Sequence, residues 1–233
     1  MRVEDLTKTL EQTLLDASIG DEVLGKACER VREHHVASLC VLPQHLPLVV
    51  DRLRGCDVKP AVAIDYPSGA HATAERVAQA ERAVAEGAEE IDVVLNHRGM
   101  LAGEFGAVRD DLVRVMHAVR GRAANVARGD VLVTVTLEAP RLGEKLTRLA
   151  CLIVDEAGAD FAGTSTGVGG NASVHDVEIM RDALSESVGV RAAGGVEGLS
   201  AVQDLVTAGA ARVATADVAT VLAELAALNG GGR

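Results

Sequence analysis

Charged side chains set among apolar runs are where this sequence invites chemistry. Asp92 stands in Ile91–Leu95, Arg191 in Gly189–Ala193, and Glu138 directly follows Val131–Leu137. An ionised group in such a run is expensive unless it is paired or working. Carboxylates that crowd together raise one another's pKa toward neutrality, which would suit Asp92 or Glu138 to general acid or base duty. A guanidinium keeps its proton, so Arg191 would either stabilise a developing oxyanion or enolate or simply pair with Asp92 or Glu138 in a satisfied polar layer. Cys40, Asp65, Asn96 and Ser165 sit at or just past the ends of similar runs and join these three as candidates. Asp65, Asp92 and Glu138 would be the set for a divalent cation, but no Asp-x-Asp or His-x-His spacing accompanies them, and neither a metal nor another cofactor is expected. His97 reads as a solvated loop histidine.

The elements that must position these residues alternate from end to end. Short runs rich in β-branched residues predict strands at Thr13–Leu15, Ala37–Val41, Pro60–Ile64, Ile91–Leu95, Val131–Leu137, Asp160–Gly163, Gly189–Ala193 and Arg212–Thr215. Apolar residues at helical spacing predict helices over Asp21–His34, His45–Arg54, Ala72–Glu86, Gly106–Val119, Glu144–Glu156, Val174–Leu184 and Leu199–Ala208. Gly87, Gly158 and Gly209 stand where a helix would stop before the next strand. Strand-then-helix repeats over 233 residues predict an α/β chain folded as one (β/α)8 TIM barrel spanning 1–233, with a short helical segment at 1–12 and a flexible tail at 229–233. An open doubly wound sheet would carry a Gly-rich turn after its first strand, and Asp16-Ala17-Ser18 is not one. Active sites of such barrels lie at the C-terminal ends of the strands, where polar residues of one parity mark the interior.

Composition narrows the partners. Hydrophobic residues make up 48% of the chain with two Phe, one Tyr and no Trp, so the core must be aliphatic. A net charge of −11 with scattered arginines excludes a phosphate-backbone binding face, and the lack of aromatics excludes a base-stacking platform, so nucleic acid is not expected as a partner. The four cysteines have no CxxC spacing and read as buried free thiols. Without a signal segment or a run of 18 apolar residues, no membrane association is expected and a cytoplasmic protein is.

Four stretches resemble deoxyribose-phosphate aldolases in order and spacing: Ala37-Ser38-Leu39-Cys40-Val41-Leu42-Pro43, Glu90-Ile91-Asp92-Val93-Val94-Leu95-Asn96, the run from Ala157 to Gly167 containing Gly163-Thr164-Ser165-Thr166-Gly167, and Gly189-Val190-Arg191-Ala192-Ala193-Gly194-Gly195. The likeness runs from about Glu11 to Val221. That family cleaves or forms a carbon–carbon bond through a lysine Schiff base, with a second lysine lowering the pKa of the first and an aspartate relaying protons. Carried over, the resemblance makes Asp92 the relay aspartate, and it puts Gly163 where the Schiff-base lysine and Arg191 where its neighbour would stand. Neither replacement supplies an amine that can lose its proton.

Other departures follow the same direction. The family's Asp-His-Thr reads Glu11-Gln12-Thr13, a nearby lysine is Asp16, and the Gly-Phe-Pro after the third strand is Asp65-Tyr66-Pro67. The phosphate-holding Gly-Thr-Ser-Ser-Gly reads Ala214-Thr215-Ala216-Asp217-Val218. A carboxylate at Asp217 would repel a phosphate dianion, although Gly194-Gly195 and Thr166-Gly167 keep the form of a phosphate cradle. The resemblance and its departures therefore imply an imine-free lyase, cyclase or isomerase of a biosynthetic pathway, acting on a small neutral or cationic carbonyl or amine. Asp92, Glu138 and Arg191 would be catalytic; Asp16, Cys40, Asp65, Asn96, Gly163, Thr164, Ser165, Gly194, Gly195 and Asp217 would meet substrate. The alternative is a non-catalytic relative that binds a small molecule or acts as a scaffold. The same resemblance implies a homodimer.

Overall fold

The computed structural model describes residues 6–126 and 129–230. Eight parallel strands close into a barrel in chain order: β1 (Leu10–Leu14), β2 (Ser38–Val41), β3 (Lys59–Ile64), β4 (Glu90–Val94), β5 (Leu132–Thr136), β6 (Phe161–Gly163), β7 (Gly189–Ala192) and β8 (Arg212–Thr215). Closure is through β8 and β1, with Glu11 beside Ala214. The helices around them are α1 (Asp21–Glu33), α2 (Leu46–Arg52), α3 (Thr73–Glu86), α4 (His97–Leu101), α5 (Phe105–Asn125), α6 (Ala139–Ala157), α7 (Val174–Ala183), α8 (Gly198–Thr207) and α9 (Val218–Gly230). This is the (β/α)8 barrel expected from the alternation of patterns.

Apolar side chains separate into two regions. The large cluster lies between sheet and helices, with Leu39, Val62, Ile91, Val133, Val190 and Val213 from the strands packing on residues such as Leu24, Val84, Leu112, Val154 and Val202. A second, small cluster of Cys40, Ala61 and Ala63, with Leu15 and Tyr66, lies apart from it. The aliphatic core is therefore a shell around the barrel.

Helix ends follow backbone rules. Gly87 and Gly158 close α3 and α6 with left-handed φ of 117° and 78°, a conformation that strains any residue with a Cβ. The helix expected from Glu144 begins one turn earlier, with Gly143 (φ 68°) interrupting α6 at the predicted start. The single helix expected over Gly106–Val119 is preceded by the five-residue α4.

Two expectations need correction. The segment 1–12 is not one helical piece: residues 1–5 lie outside the described residues, Leu6 and Thr7 are helical, and Leu10–Leu14 is already β1. Glu11 hid that strand, because it is an inward-facing acid where an apolar residue was sought. The expected tail 229–233 begins inside α9, which runs to Gly230; residues 231–233 lie outside the described ones. No helix was expected there, because alanines fill the gaps between Val218, Val221, Leu222 and Leu225 and blur the polar face. Among the described residues no helix is long and apolar enough to cross a membrane.

Candidate active site

A cavity of about 570 Å³ opens at the C-terminal ends of the strands. Its floor holds Asp92 and Arg191, its wall Thr13, Tyr66, Ser165 and Thr166, and its rim Asp16, Gly194, Gly195, Glu197, Thr215 and Asp217. Four carboxylates and one guanidinium line it.

The floor is the top of a column of buried charges. Arg191 Nη1 donates to Asp92 Oδ2 at 3.0 Å, Arg191 Nε donates to Glu11 Oε2 at 3.1 Å, and Arg191 Nη2 donates to Glu11 Oε1. One step lower, Arg212 Nη1 reaches Glu90 at 3.0 and 3.2 Å and Glu11 Oε2 at 3.9 Å, and its guanidinium lies 5.0 Å from the Phe161 ring centre. The pairs join β4 to β7, β1 to β7 and β4 to β8, none of which are neighbours in the sheet, so each bond crosses the interior. All five residues are buried. Thr136 Oγ1 donates to Asp92 Oδ1 at 2.7 Å, which leaves Asp92 one ionic contact and one neutral one.

Burial pushes the Asp92 carboxyl above its ordinary value, although Arg191 and the Thr136 hydroxyl pull the other way. Burial also raises Glu90 against the opposing pull of Arg212. Arg191 loses some affinity for its proton to burial but is held more firmly protonated than usual by Glu11 and Asp92. Burial, reinforced by Glu11 and Asp92, holds the Cys40 thiol neutral, and burial does the same for the Tyr66 hydroxyl.

Of the residues singled out in the sequence, Asp92, Arg191, Ser165, Gly194, Gly195, Asp16 and Asp217 line the cavity. Cys40 lies in the small apolar cluster with Ala61 and Ala63. Gly163 is in β6 beside Thr136, and a Cβ on it would fall 2.7 Å from Thr136 Oγ1. Thr164 is buried, bridging to Ala193 through its hydroxyl at 2.8 and 2.9 Å. Gly195 (φ 65°) packs against Asn171, where a side chain would collide, so the loop after β7 is fitted to the loop after β6.

Three carboxylate and amide candidates turn away. Asp65 and Glu138 both follow a strand end with left-handed φ, 53° and 61°, which breaks the in–out alternation of the strand. Asp65 accepts from His71 at 2.6 Å and pairs with Arg76 Nε at 3.2 Å, fastening the loop before α3. Glu138 accepts from Thr166 N–H at 2.6 Å and pairs with Arg141 at 3.3 Å, fastening the loop after β6. Asn96 caps α4 by accepting from Gly99 N–H at 2.9 Å. The trio Asp65, Asp92 and Glu138 thus does not converge, and no cluster of metal-ligating side chains occurs among the described residues. His97 is buried, not solvated, with no partner for Nδ1.

Glu11, Glu90 and Arg212 were not anticipated as interior charges. The signal was present: Glu11 has the parity of Thr13, and Glu90 that of Asp92.

Two helix N-termini at the rim carry internal carboxylates. Asp217 caps α9, accepting from Thr220 N–H at 3.2 Å and the Thr220 hydroxyl at 2.6 Å, and these bonds hold its pKa low. Glu224 reaches from α9 to the start of α8, accepting from Leu199 N–H at 2.6 Å. Helix N-termini after strands seven and eight are where barrels of this kind commonly hold phosphate.

The four lysines lie elsewhere. Lys8 binds Asp57 at 2.7 Å, Lys26 binds Glu22 at 2.6 Å, Lys59 opens β3 at the opposite end of the barrel, and Lys145 is exposed on α6. None lines the cavity.

Comparison with known proteins gives a consistent result. Residues 5–218 match the model of the family described as DeoC/LacD family aldolase. The deoxyribose-phosphate aldolase of Caldanaerobacter subterraneus subsp. tengcongensis is 37% identical over 210 residues, covering 90% of this chain and 88% of the relative. That of Brevibacillus brevis is 34% identical over 219 residues, covering 94% and 95%. The solved deoxyribose phosphate aldolase of Aeropyrum pernix shares the fold with a TM-score of 0.88 at 24% identity, covering 97% of this chain and 93% of that one.

Proposed function

Because this chain belongs to the DeoC/LacD family of aldolases, we propose that it is a lyase-type enzyme whose carbon chemistry runs without an imine, on a small neutral or cationic carbonyl or amine metabolite. The observation that carries this reading is at the floor. Positions 163 and 191, where the resemblance expects two lysines, hold a glycine and a guanidinium, and the four lysines lie outside the cavity. A lysine at 163 would also collide with Thr136, whose hydroxyl holds Asp92.

Asp92 is then the acid–base group. It gives a proton to a substrate oxygen and takes one back from a substrate hydroxyl or water, so no proton is gained or lost over the cycle. Arg191 sets a fixed positive charge beside the carbon–carbon bond being made or broken, where electrons would collect as an enolate. Glu138, turned under the loop after β6, orders that loop and does not take part in proton transfer. Asp16, Glu197 and Asp217 give the rim a negative field, and the carboxylates of Asp217 and Glu224 already occupy the helix N-termini that would draw a phosphate. Both features favour a neutral or cationic substrate over a sugar phosphate.

Borohydride treatment in the presence of deoxyribose 5-phosphate, followed by intact mass, tests the mechanism. The mass is expected to stay that of the native chain; a reduced adduct overturns the reading. A thermal-shift screen tests the substrate class, with amines and neutral aldehydes expected to raise the midpoint. Stabilisation by sugar phosphates alone would refute the class.

A non-catalytic binding or scaffolding protein is the second reading. It is favoured by the saturation of the floor, where both Asp92 oxygens already have partners. Asp92→Asn separates the two: with a substrate identified from the screen, the variant binds it in either case, and turnover lost from the native protein on substitution supports the enzyme.

A further inference from the structure

The column below the cavity contains three carboxylates, Glu11, Glu90 and Asp92, and two guanidiniums, Arg191 and Arg212, so with every group ionised it carries one uncompensated negative charge. A buried excess charge is costly enough that a group gains or loses a proton to remove it. The bonding pattern decides which one. Arg212 spends its contacts on Glu90 and, more distantly, on Glu11. Arg191 spends two nitrogens on Glu11 and one on Asp92. Asp92 is therefore the carboxyl with the weakest ionic hold, and it is the one of the three that faces the cavity.

We infer that Glu11 is a positioning residue: by engaging Arg191 through both Nε and Nη2 it leaves Asp92 as the odd carboxyl of the column, and so makes Asp92 the seat of a transferable proton. The inference rests on the reading of Asp92 as the acid–base group and extends it, because it names what keeps that acid charged with a proton at neutral pH. Were Glu11 absent, the Arg191 fork would be free to take Asp92 bidentately, and an aspartate so held loses its proton. Raised proton affinity from burial at Asp92 agrees with the geometry.

Burial raises the Asp92 carboxyl first, and the charged groups that face it act beside that. Glu11 faces it from β1, Cys40 from β2, Tyr66 from the loop after β3, Arg191 from β7, and Glu90 from its own strand, with Arg212 of β8 behind Glu11 and Glu138 beyond Tyr66. Burial keeps Cys40 and Tyr66 neutral, so the local charge is set by Glu11, Arg191 and the Glu90–Arg212 pair.

The test is the carboxyl carbon titration of Asp92, followed by NMR in aspartate-labelled protein with the resonance assigned by its loss in D92N. In the native chain the Asp92 midpoint is expected well above that of an exposed aspartate. In E11Q it is expected to fall by about one unit or more. E11D keeps the charge but, one methylene shorter, reaches only one Arg191 nitrogen, and its midpoint is expected between the two. An ordinary midpoint in the native chain, an equal one in E11Q, or a proton found on Glu90 instead overturns the inference. A native midpoint in E11D also overturns it, since charge without positioning would then be sufficient. Should E11Q not fold, E11D decides alone by the same criterion. The titration needs no substrate, so it fails or stands apart from the imine-free reading, whose failure appears only as a borohydride adduct.

Discussion

The lining of the barrel and the shell around it are built on opposite principles. Outside the strands, Leu39, Val62, Ile91, Leu112 and Val190 pack without a polar atom among them, and their stability is a sum of many weak contacts. Inside, Glu90, Arg212, Glu11, Arg191 and Asp92 leave room for one small apolar cluster, and each charge depends on one or two specific partners. The shell tolerates change in proportion to volume; the lining tolerates it only where partners change together. What the lining provides is a fixed field at the cavity floor, which aliphatic packing cannot supply.

The largest expected effect lies in the lining. Arg191→Met leaves Asp92 without an ionic partner and Glu11 with Arg212 at 3.9 Å, and is expected to lower unfolding free energy in urea by about 3–5 kcal/mol. Adding Glu11→Leu and Asp92→Leu to it is expected to restore most of that loss; a triple variant as unstable as the single one would mean that the lining resists change for reasons of shape, as the shell does. In the shell, Leu112→Ala is expected to cost roughly 3 kcal/mol, unaltered between mildly acidic and neutral pH. Asp92→Asn should show the contrast through pH. The native Asp92 binds its proton more tightly folded than unfolded, so its contribution to stability is full below the ordinary aspartate value and is lost as pH rises through the raised one. The variant therefore melts higher than the native chain at neutral pH, and the difference closes on acidification; a constant difference in Tm would mean that folding leaves the proton affinity of Asp92 unchanged. Asp217→Ala, at the rim, removes only a helix cap, with about 1 kcal/mol expected in guanidinium unfolding.

Much of this architecture was legible before the coordinates. β-branched runs separated by helical spacing located seven strands and the end of the first, because parallel strands buried on both faces read as continuous apolar segments. Asp92 and Arg191 were legible as well, each a charge in such a segment. Glu11 was not, since its strand contains three polar residues in succession, Glu11, Gln12 and Thr13, and reads as a loop. The placement of Asp65 and Glu138 failed for a different reason: alternation extrapolates only while the backbone stays extended, and at both residues it turns left-handed. The occupation of the α8 N-terminus by Glu224 was beyond sequence reading, because it joins helices through tertiary packing alone.

The order of the column along the chain has its own consequence. Glu11, Glu90 and Asp92 all belong to the first four strands, and Arg191 and Arg212 to the last two. A chain emerging from synthesis with half of its strands made holds the three acids of the column and neither of its guanidiniums. A half-barrel of the first four strands would bury three like charges without a guanidinium beside them, so this column is neutralised only when the last two strands are in place.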